Sequence, residues 1–292
     1  ILLHKFIYIY LLKYFSNFQF LNFKPKPNKM KKIFYALTAF IFVTTACNTS
    51  KTEDTQAGVY KMEKSITNDG KKDTVENSPN QVKIYTATHY VFAKLNGDSS
   101  VSFGVGSYQK QGNTITETNI YAGGGRDSAA NFTLNITKTE TGYVQDIAAL
   151  VMNGITYKLN ETYSKVAAGA ASELDGLWKQ TARMSVTGTD TTHFDLAKLN
   201  AVQFKAYQDG HFVWVQRYPT DSTKATYKNG FGFGTYTYAN GSSTETPSNS
   251  SYAAIVGMNL KIKITFNGKN EYTQEIYNEA TKTTSIEKYT RL

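Results

Sequence analysis

The chain has 292 residues, a formal net charge of +9 and one cysteine. Seven lysines and no acid precede Cys47, so they account for seven of the nine charges and leave +2 for everything after it. A near-neutral remainder without a basic run excludes a nucleic-acid footprint, which needs Lys and Arg clustered on one face, and a single cysteine excludes a disulfide within the chain.

Residues 1–29 are almost wholly Ile, Leu, Phe, Tyr, Asn and Lys, residues with AT-rich codons, and read as translated upstream sequence ahead of Met30. Lys13 and Asn17 interrupt their apolar run, which makes a poor spanning helix of ~20 residues. From Met30 the order is that of an export signal: Lys31 and Lys32, a short apolar run from Ile33 to Val43, small residues Thr44, Thr45 and Ala46, then Cys47. Ala46-Cys47 resembles the lipobox of bacterial lipoproteins, with Thr44 standing where Leu is usual. That resemblance implies a signal peptide over 30–46, diacylglycerol on the Cys47 sulfur, and a stable membrane anchor, since several acyl chains hold where one does not. Residues 47–57 are polar and read as a tether. Lys51, Glu53 and Asp54 loosely resemble charged export tags, beside the plainer reading of a hydrophilic spacer.

The rest is written twice. Gly58-Val59-Tyr60-Lys61 returns as Gly176-Leu177-Trp178-Lys179, and Gln81 to Ala93 (QVKIYTATHYVFA) returns as Gln203 to Val215 (QFKAYQDGHFVWV). Phe103 to Tyr108 (FGVGSY) returns as Phe231 to Tyr236 (FGFGTY), and Thr116-Glu117-Thr118 as Thr244-Glu245-Thr246. Tyr143 to Ile147 returns as Tyr272 to Ile276, and the copies end on Glu161, Tyr163, Lys165 and on Glu287, Tyr289, Arg291. The predicted units are 58–166 and 176–292, joined by a small-residue linker at 167–175; each has an ordinary domain's size.

Both units are predicted all-β. Segments such as VKIYT, YVFAK and LKIKITF are short, β-branched or aromatic, and alternate with period two. Asp209-Gly210 is a hairpin signal, because such dipeptides suit the positive φ angles of tight turns. About eight antiparallel strands fit each copy, and a sheet of that number removes its open edges by closing into a barrel. The expected architecture is two tandem up-and-down barrels that fold separately. Gly176-x-Trp178 opening the first strand, with Arg291 ending the last, is similar to the lipocalin and calycin signature. The KIYT, FGxGxY, T-E-T and E-x-Y-x-R segments resemble lipocalin-like domains of bacterial secreted proteins whose function is unassigned. The resemblance implies that Trp178 lies under Arg291 at the closed end of the second barrel, with Tyr60 and Lys165 as the counterpart in the first.

No catalytic signature emerges. His89 and His211 occupy equivalent places, as do the acids Glu117 and Glu245, and Glu161 and Glu287. A His and a Glu meeting inside a barrel could act as acid and base or hold a metal. Each copy offers one repeated His, however, where zinc wants three or four ligands, and hydrogen bonding near a turn or barrel mouth is the expected role. The paired glycines do not match a phosphate loop; glycine within a strand marks a bulge or bend. The expectation is therefore no enzyme, no cofactor and no metal. Aromatic residues suit either a pocket with a few polar handles or a filled core, since an eight-stranded barrel is just wide enough for side chains or one small ligand. The candidate pocket or mouth residues are Tyr85, His89, Tyr108 and Glu117 in the first copy and Tyr207, His211, Trp214, Tyr236 and Glu245 in the second. The expected protein is a lipid-anchored envelope lipoprotein of a Gram-negative bacterium, in the outer membrane, with the membrane and a small apolar or amphipathic ligand as partners. The alternative is a structural lipoprotein with filled barrels that docks to another envelope component.

Overall fold

The computed structural model describes residues 56–123, 130–152, 154–220 and 226–292. Cys47, the segments 1–29 and 30–46 and nearly all of the tether lie outside the described residues.

The first copy contributes nine strands: β1 (Gly58–Asn68), β2 (Asp73–Asn77), β3 (Gln81–Tyr85), β4 (His89–Leu95), β5 (Val101–Gln111), β6 (Thr114–Ala122), β7 (Asn131–Lys138), β8 (Gly142–Met152) and β9 (Ile155–Lys165). The second repeats the pattern: β10 (Gly176–Thr187), β11 (Asp190–Phe194), β12 (Val202–Gln208), β13 (His211–Pro219), β14 (Tyr227–Ala239), β15 (Ser242–Ser250), β16 (Leu260–Phe266), β17 (Glu271–Asn278) and β18 (Thr283–Arg291). One helical turn, α1 (Leu196–Leu199), precedes β12, capped by the Asp195 carboxylate on the Lys198 amide.

Every pairing is antiparallel. β1 pairs with β9 along one edge; on the other its first residues pair with β3 and its last with β2. β1 and β3 to β9 therefore close a ring of eight, with β2 as a short flap, and β10 with β12 to β18 closes the same ring in the second copy. The protein is two closed eight-stranded antiparallel barrels in tandem, a lipocalin-like architecture. Asp209 and Gly210 form the two-residue turn between β12 and β13, at φ +49° and +73°.

The FGxGxY glycines have a steric cause. Gly104 lies opposite Phe92, and a Cβ there would meet the ring at 2.4 Å. The register of β5 against β6 slips between Val105 and Gly106, and that of β14 against β15 between Phe233 and Gly234. These bulges bend the strand as a barrel wall requires.

Alternation along the strands buries both faces. On β3, Lys83 and Tyr85 turn into the barrel while Val82 and Ile84 turn out, and both sets are buried. The outward set of one barrel packs on that of the other in a single apolar cluster of 17 buried residues. Val82, Ile84, Val91, Ala93, Phe103 and Val105 enter it from the first copy, and their repeat counterparts Phe204, Ala206, Val213, Val215, Phe231 and Phe233 from the second. β3 packs on β12, β4 on β13 and β5 on β14. Each strand meets its own counterpart, the geometry of an isologous dimer built within one chain. Tyr121 also reaches the Phe204 ring at 5.9 Å, and the Asn229 side chain donates to the Val101 carbonyl at 2.9 Å.

This seam changes the expectation that the barrels fold apart. Full burial of each Val, Leu, Ile or Phe is worth about 1.5–3 kcal/mol, and an entire domain holds only about 5–15 kcal/mol of net stability. A separated half would present its whole outer apolar face to water. The predicted linker is itself packed: Leu174 is buried, Ser172 and Asp175 bond the Tyr236 hydroxyl, and the Gly169 amide donates to the Asp209 carbonyl. Val213→Asp, which places a charge in the middle of the seam without touching either barrel interior, is expected to cost at least about 3 kcal/mol in urea unfolding of the whole chain. An exposed control, Val75→Asp on the β2 flap, should be nearly neutral.

Candidate functional site

Each barrel interior is built around a buried ion pair. Lys83 Nζ lies 2.6 Å from Glu117 Oε1, and Lys205 Nζ lies 2.6 Å from Glu245 Oε1. The four side chains are 2–6% exposed. Burying two charges costs several kcal/mol per ion unless further polar contacts make it good. Those contacts are present. The Tyr85 hydroxyl donates to Glu117, and the Tyr207 hydroxyl to Glu245 at 2.7 Å. The Lys83 ammonium faces the rings of Tyr85 and Tyr90 at 4.9 and 5.4 Å, and Lys205 faces Tyr207 and Phe212 at 5.3 and 5.7 Å.

A second carboxylate completes each network. In the first barrel the Gln145 amide and the Tyr163 hydroxyl both donate to Glu161 Oε2, and Gln81 Nε2 donates to the Tyr163 oxygen at 2.8 Å. The second barrel repeats this with Gln274, Tyr289, Glu287 and Gln203. Burial pushes the Glu161 carboxyl above the ordinary carboxylate range, opposed by the positive charge of Lys83 and the bond from Tyr163. The fully buried phenols Tyr85, Tyr143, Tyr163, Tyr207, Tyr272 and Tyr289 are all raised, mainly by burial. Tyr85, Tyr163, Tyr207 and Tyr289 act as neutral hydrogen-bond donors at physiological pH.

Above this floor the first barrel holds a cavity of about 180 Å³. Lys83, Glu117, Gln145 and Glu161 line its buried depth; the half-buried Phe92, Phe132, Ile147, Leu150 and Leu159 form an apolar rim. In the second barrel side chains gather around Arg183, the register partner of Glu287. The Arg183 guanidinium lies between the rings of Phe194 and Tyr218 at 5.1 and 5.4 Å, the Tyr218 hydroxyl donates to Gln180 at 2.7 Å, and the Trp214 ring packs on Tyr252 at 5.8 Å.

Of the expected first-copy pocket residues, only Glu117 lines this cavity. Tyr85 stands behind Glu117; Tyr108 bonds the Thr86 carbonyl at 2.8 Å and receives the Gln56 amide; His89 meets the Thr88 hydroxyl at 2.8 Å, with its pKa lowered by burial. In the second copy His211 donates Nδ1–H to the Asp209 carbonyl at 3.0 Å, and Tyr236 donates to Asp175 at 2.6 Å. Neither histidine reaches a repeated glutamate, and among the described residues no three His, Cys, Asp or Glu side chains converge as metal ligands. Lys83, Gln145 and Tyr163 were the residues missed. Their signal was present, since Lys, Gln and Tyr recur at these positions in both copies, yet lysine mid-strand reads as a solvent-facing residue.

At the other feature singled out in the sequence, Arg291 Cζ lies 4.0 Å from the centre of the Trp178 ring. The two residues are register partners on β10 and β18. Arg291 also donates to the carbonyls of Glu173 at 2.7 Å, Lys269 at 3.2 Å and Asp175, while Trp178 Nε1 donates to the Leu174 carbonyl at 2.7 Å. In the first barrel Tyr60 pairs in register with Lys165 and its hydroxyl donates to the Gln56 carbonyl at 3.2 Å. An open groove of about 580 Å³ lies beside them.

No family model and no curated protein matches the chain. Among solved structures the chain is similar to an uncharacterized protein from Bacteroides eggerthii, 12% identical over 37% of this chain and 99% of that one, with a TM-score of 0.24. It is also similar to a protein of unknown function of the DUF3598 family from Nostoc punctiforme, 8% identical over 81% of this chain and 96% of that one, with a TM-score of 0.25. Likeness at that level assigns no function.

Two outcomes follow for these clusters. In a Trp178→Phe, Arg291→Met double-mutant cycle on the whole chain, the coupling energy should be about 0.5–2 kcal/mol. Arg291→Met alone should cost more than the coupling, because three carbonyls lose a donor; strictly additive losses would mean the stacking contributes nothing. For Glu161, a folded pKa above the unfolded value favours the protonated fold, so its stabilisation is complete below about pH 4.3 and is lost as pH rises through the folded pKa. Glu161→Gln, a permanent analogue of the neutral acid, should therefore gain stability relative to the parent between pH 4 and pH 7 in urea unfolding. A difference that does not change with pH would refute the raised value.

Proposed function

We propose that the protein is a lipid-anchored envelope protein whose first barrel holds one small amphipathic ligand. The observation that carries this is the cavity with buried polar groups at its base and a half-exposed apolar rim. Such a shape receives a polar head and shields an apolar tail, the usual composition of small-molecule sites. Its volume is close to the ~150 Å³ of an engineered cavity that takes benzene, which sets a ligand with a tail of about six carbons. The reading treats the protein as a binder rather than an enzyme, since Glu117 is committed to an ion pair with Lys83 and a hydrogen bond from Tyr85.

Anchoring rests on the order Lys31-Lys32, Ile33 to Val43 and Ala46-Cys47, with the outer membrane of a Gram-negative cell as the proposed site. Among the described residues no helix is long and apolar enough to cross a membrane. The alternative, a filled barrel serving as an interaction module, is favoured in the second copy by the side chains around Arg183.

Gentle-ionisation mass spectrometry of the purified whole chain is expected to show one small molecule per chain, lost in Ile147→Trp, which fills the cavity. A chain that carries no such mass, and takes up no small amphiphile when offered one, contradicts the binding role. Cys47→Ala should move the protein from the detergent phase to the aqueous phase; equal partitioning of parent and variant contradicts the anchor.

A further inference from the structure

The two barrel interiors differ in one charge. On β10, Arg183 is the register partner of Glu287, and its Nε lies 4.0 Å from Glu287 Oε1. On β1 the equivalent residue is Ser65, the register partner of Glu161. In the second interior Lys205 and Arg183 face Glu245 and Glu287, and the charges balance. In the first, Lys83 alone faces Glu117 and Glu161, which leaves one negative charge without a cation. The aromatic cradle of the second barrel's guanidinium, Phe194 and Tyr218, also lacks an equivalent in the first: the register position of Phe194 is taken by Glu76, which pairs with Lys94 near the surface.

A second difference points the same way. Lys205 Nζ donates to Gln274 Oε1 at 3.3 Å, whereas Gln145 Oε1, on a side chain buried to 2% exposure and lining the cavity, has no hydrogen-bond partner. An unpaired buried acceptor costs about 1–3 kcal/mol, and a donor held in the cavity that Gln145 lines would satisfy it.

Resting on the ligand reading above, we infer that the first barrel takes an organic monocation, a primary ammonium or guanidinium on an apolar tail, with its head against the Glu161 carboxylate and Gln145 Oε1. The second barrel supplies that cation from its own chain. An ammonium carries three donors and no acceptor, so it serves both the Glu161 carboxylate and Gln145 Oε1, and a charge-assisted bond of this kind is about twice as strong as a neutral one. The tail then lies along Phe132, Ile147, Leu150 and Leu159, and the rim rings, like those around Arg183, favour a cation passing over their faces.

The test uses the whole chain and three six-carbon probes of one shape: hexylamine, hexanol and hexanoate, followed by titration calorimetry at neutral pH. Hexylamine should bind at least about tenfold more tightly than hexanol, the ratio that corresponds to 1.4 kcal/mol, and hexanoate should not bind. Glu161→Gln should bring hexylamine to the level of hexanol. Ser65→Arg, which gives the first barrel the cation of the second, should abolish hexylamine binding and raise the melting temperature. Hexanol binding as well as hexylamine, or hexanoate binding best, overturns the cation inference and leaves the small-ligand reading standing. Failure of all three probes in a folded chain overturns both.

Discussion

The apolar seam between the barrels is the constraint on which the rest depends. A free-standing barrel of this size alternates apolar residues inward and polar residues outward. Here β3, β4, β5 and their counterparts spend their aliphatic residues on the outside, where the other copy covers them. Because Val82, Ile84, Val91 and Val105 face the seam, Lys83, Tyr85, Tyr90 and Gly104 must face the interior. The polar interior is thus the other face of an internal dimer. A one-residue slip of β3 would place Lys83 in the seam and Val82 or Ile84 against the buried glutamates, so its register is fixed from both sides at once.

The interior that results is polar but internally paired. Lysine, two carboxylates, two glutamines and a ring of tyrosine hydroxyls form a network in which nearly every member has a partner. Networks of this kind specify geometry at some cost in stability. The copies share it, and they diverge just above it. Arg183, Tyr218, Phe194 and Tyr252 complete the second barrel with its own side chains, while the first retains a void over the same floor. On the proposed reading the first barrel carries the ligand, while the network of buried polar groups is common to both.

The repeat, the strand class, the hairpin at Asp209-Gly210 and the placing of Trp178 and Arg291 at two ends of neighbouring strands were legible in the sequence, because each depends on local pattern or on chain order. Which face of each strand turns inward was not. In VKIYT both parities are apolar or amphipathic, and the parity that points Lys83 to water is the cheaper one for a lone barrel. The second barrel decides the matter, and it enters no periodicity count. The candidate site suffered for the same reason. The aromatic and histidine residues near the turns, such as Tyr108 and His89, serve the closed end and the hairpin. Lys83 and Gln145, the residues that give the cavity its chemistry, were matched between copies yet could be assigned to the interior only once the seam was seen.

Scanning calorimetry of the whole chain beside its two halves, divided within residues 167–175, tests the seam most directly. A shared core predicts one transition for the whole chain, with equal calorimetric and van't Hoff enthalpies, and halves that associate or fail to unfold cooperatively. Two resolved transitions in the whole chain, each reproduced by a monomeric half at its own temperature, would show two independent barrels and contradict the account.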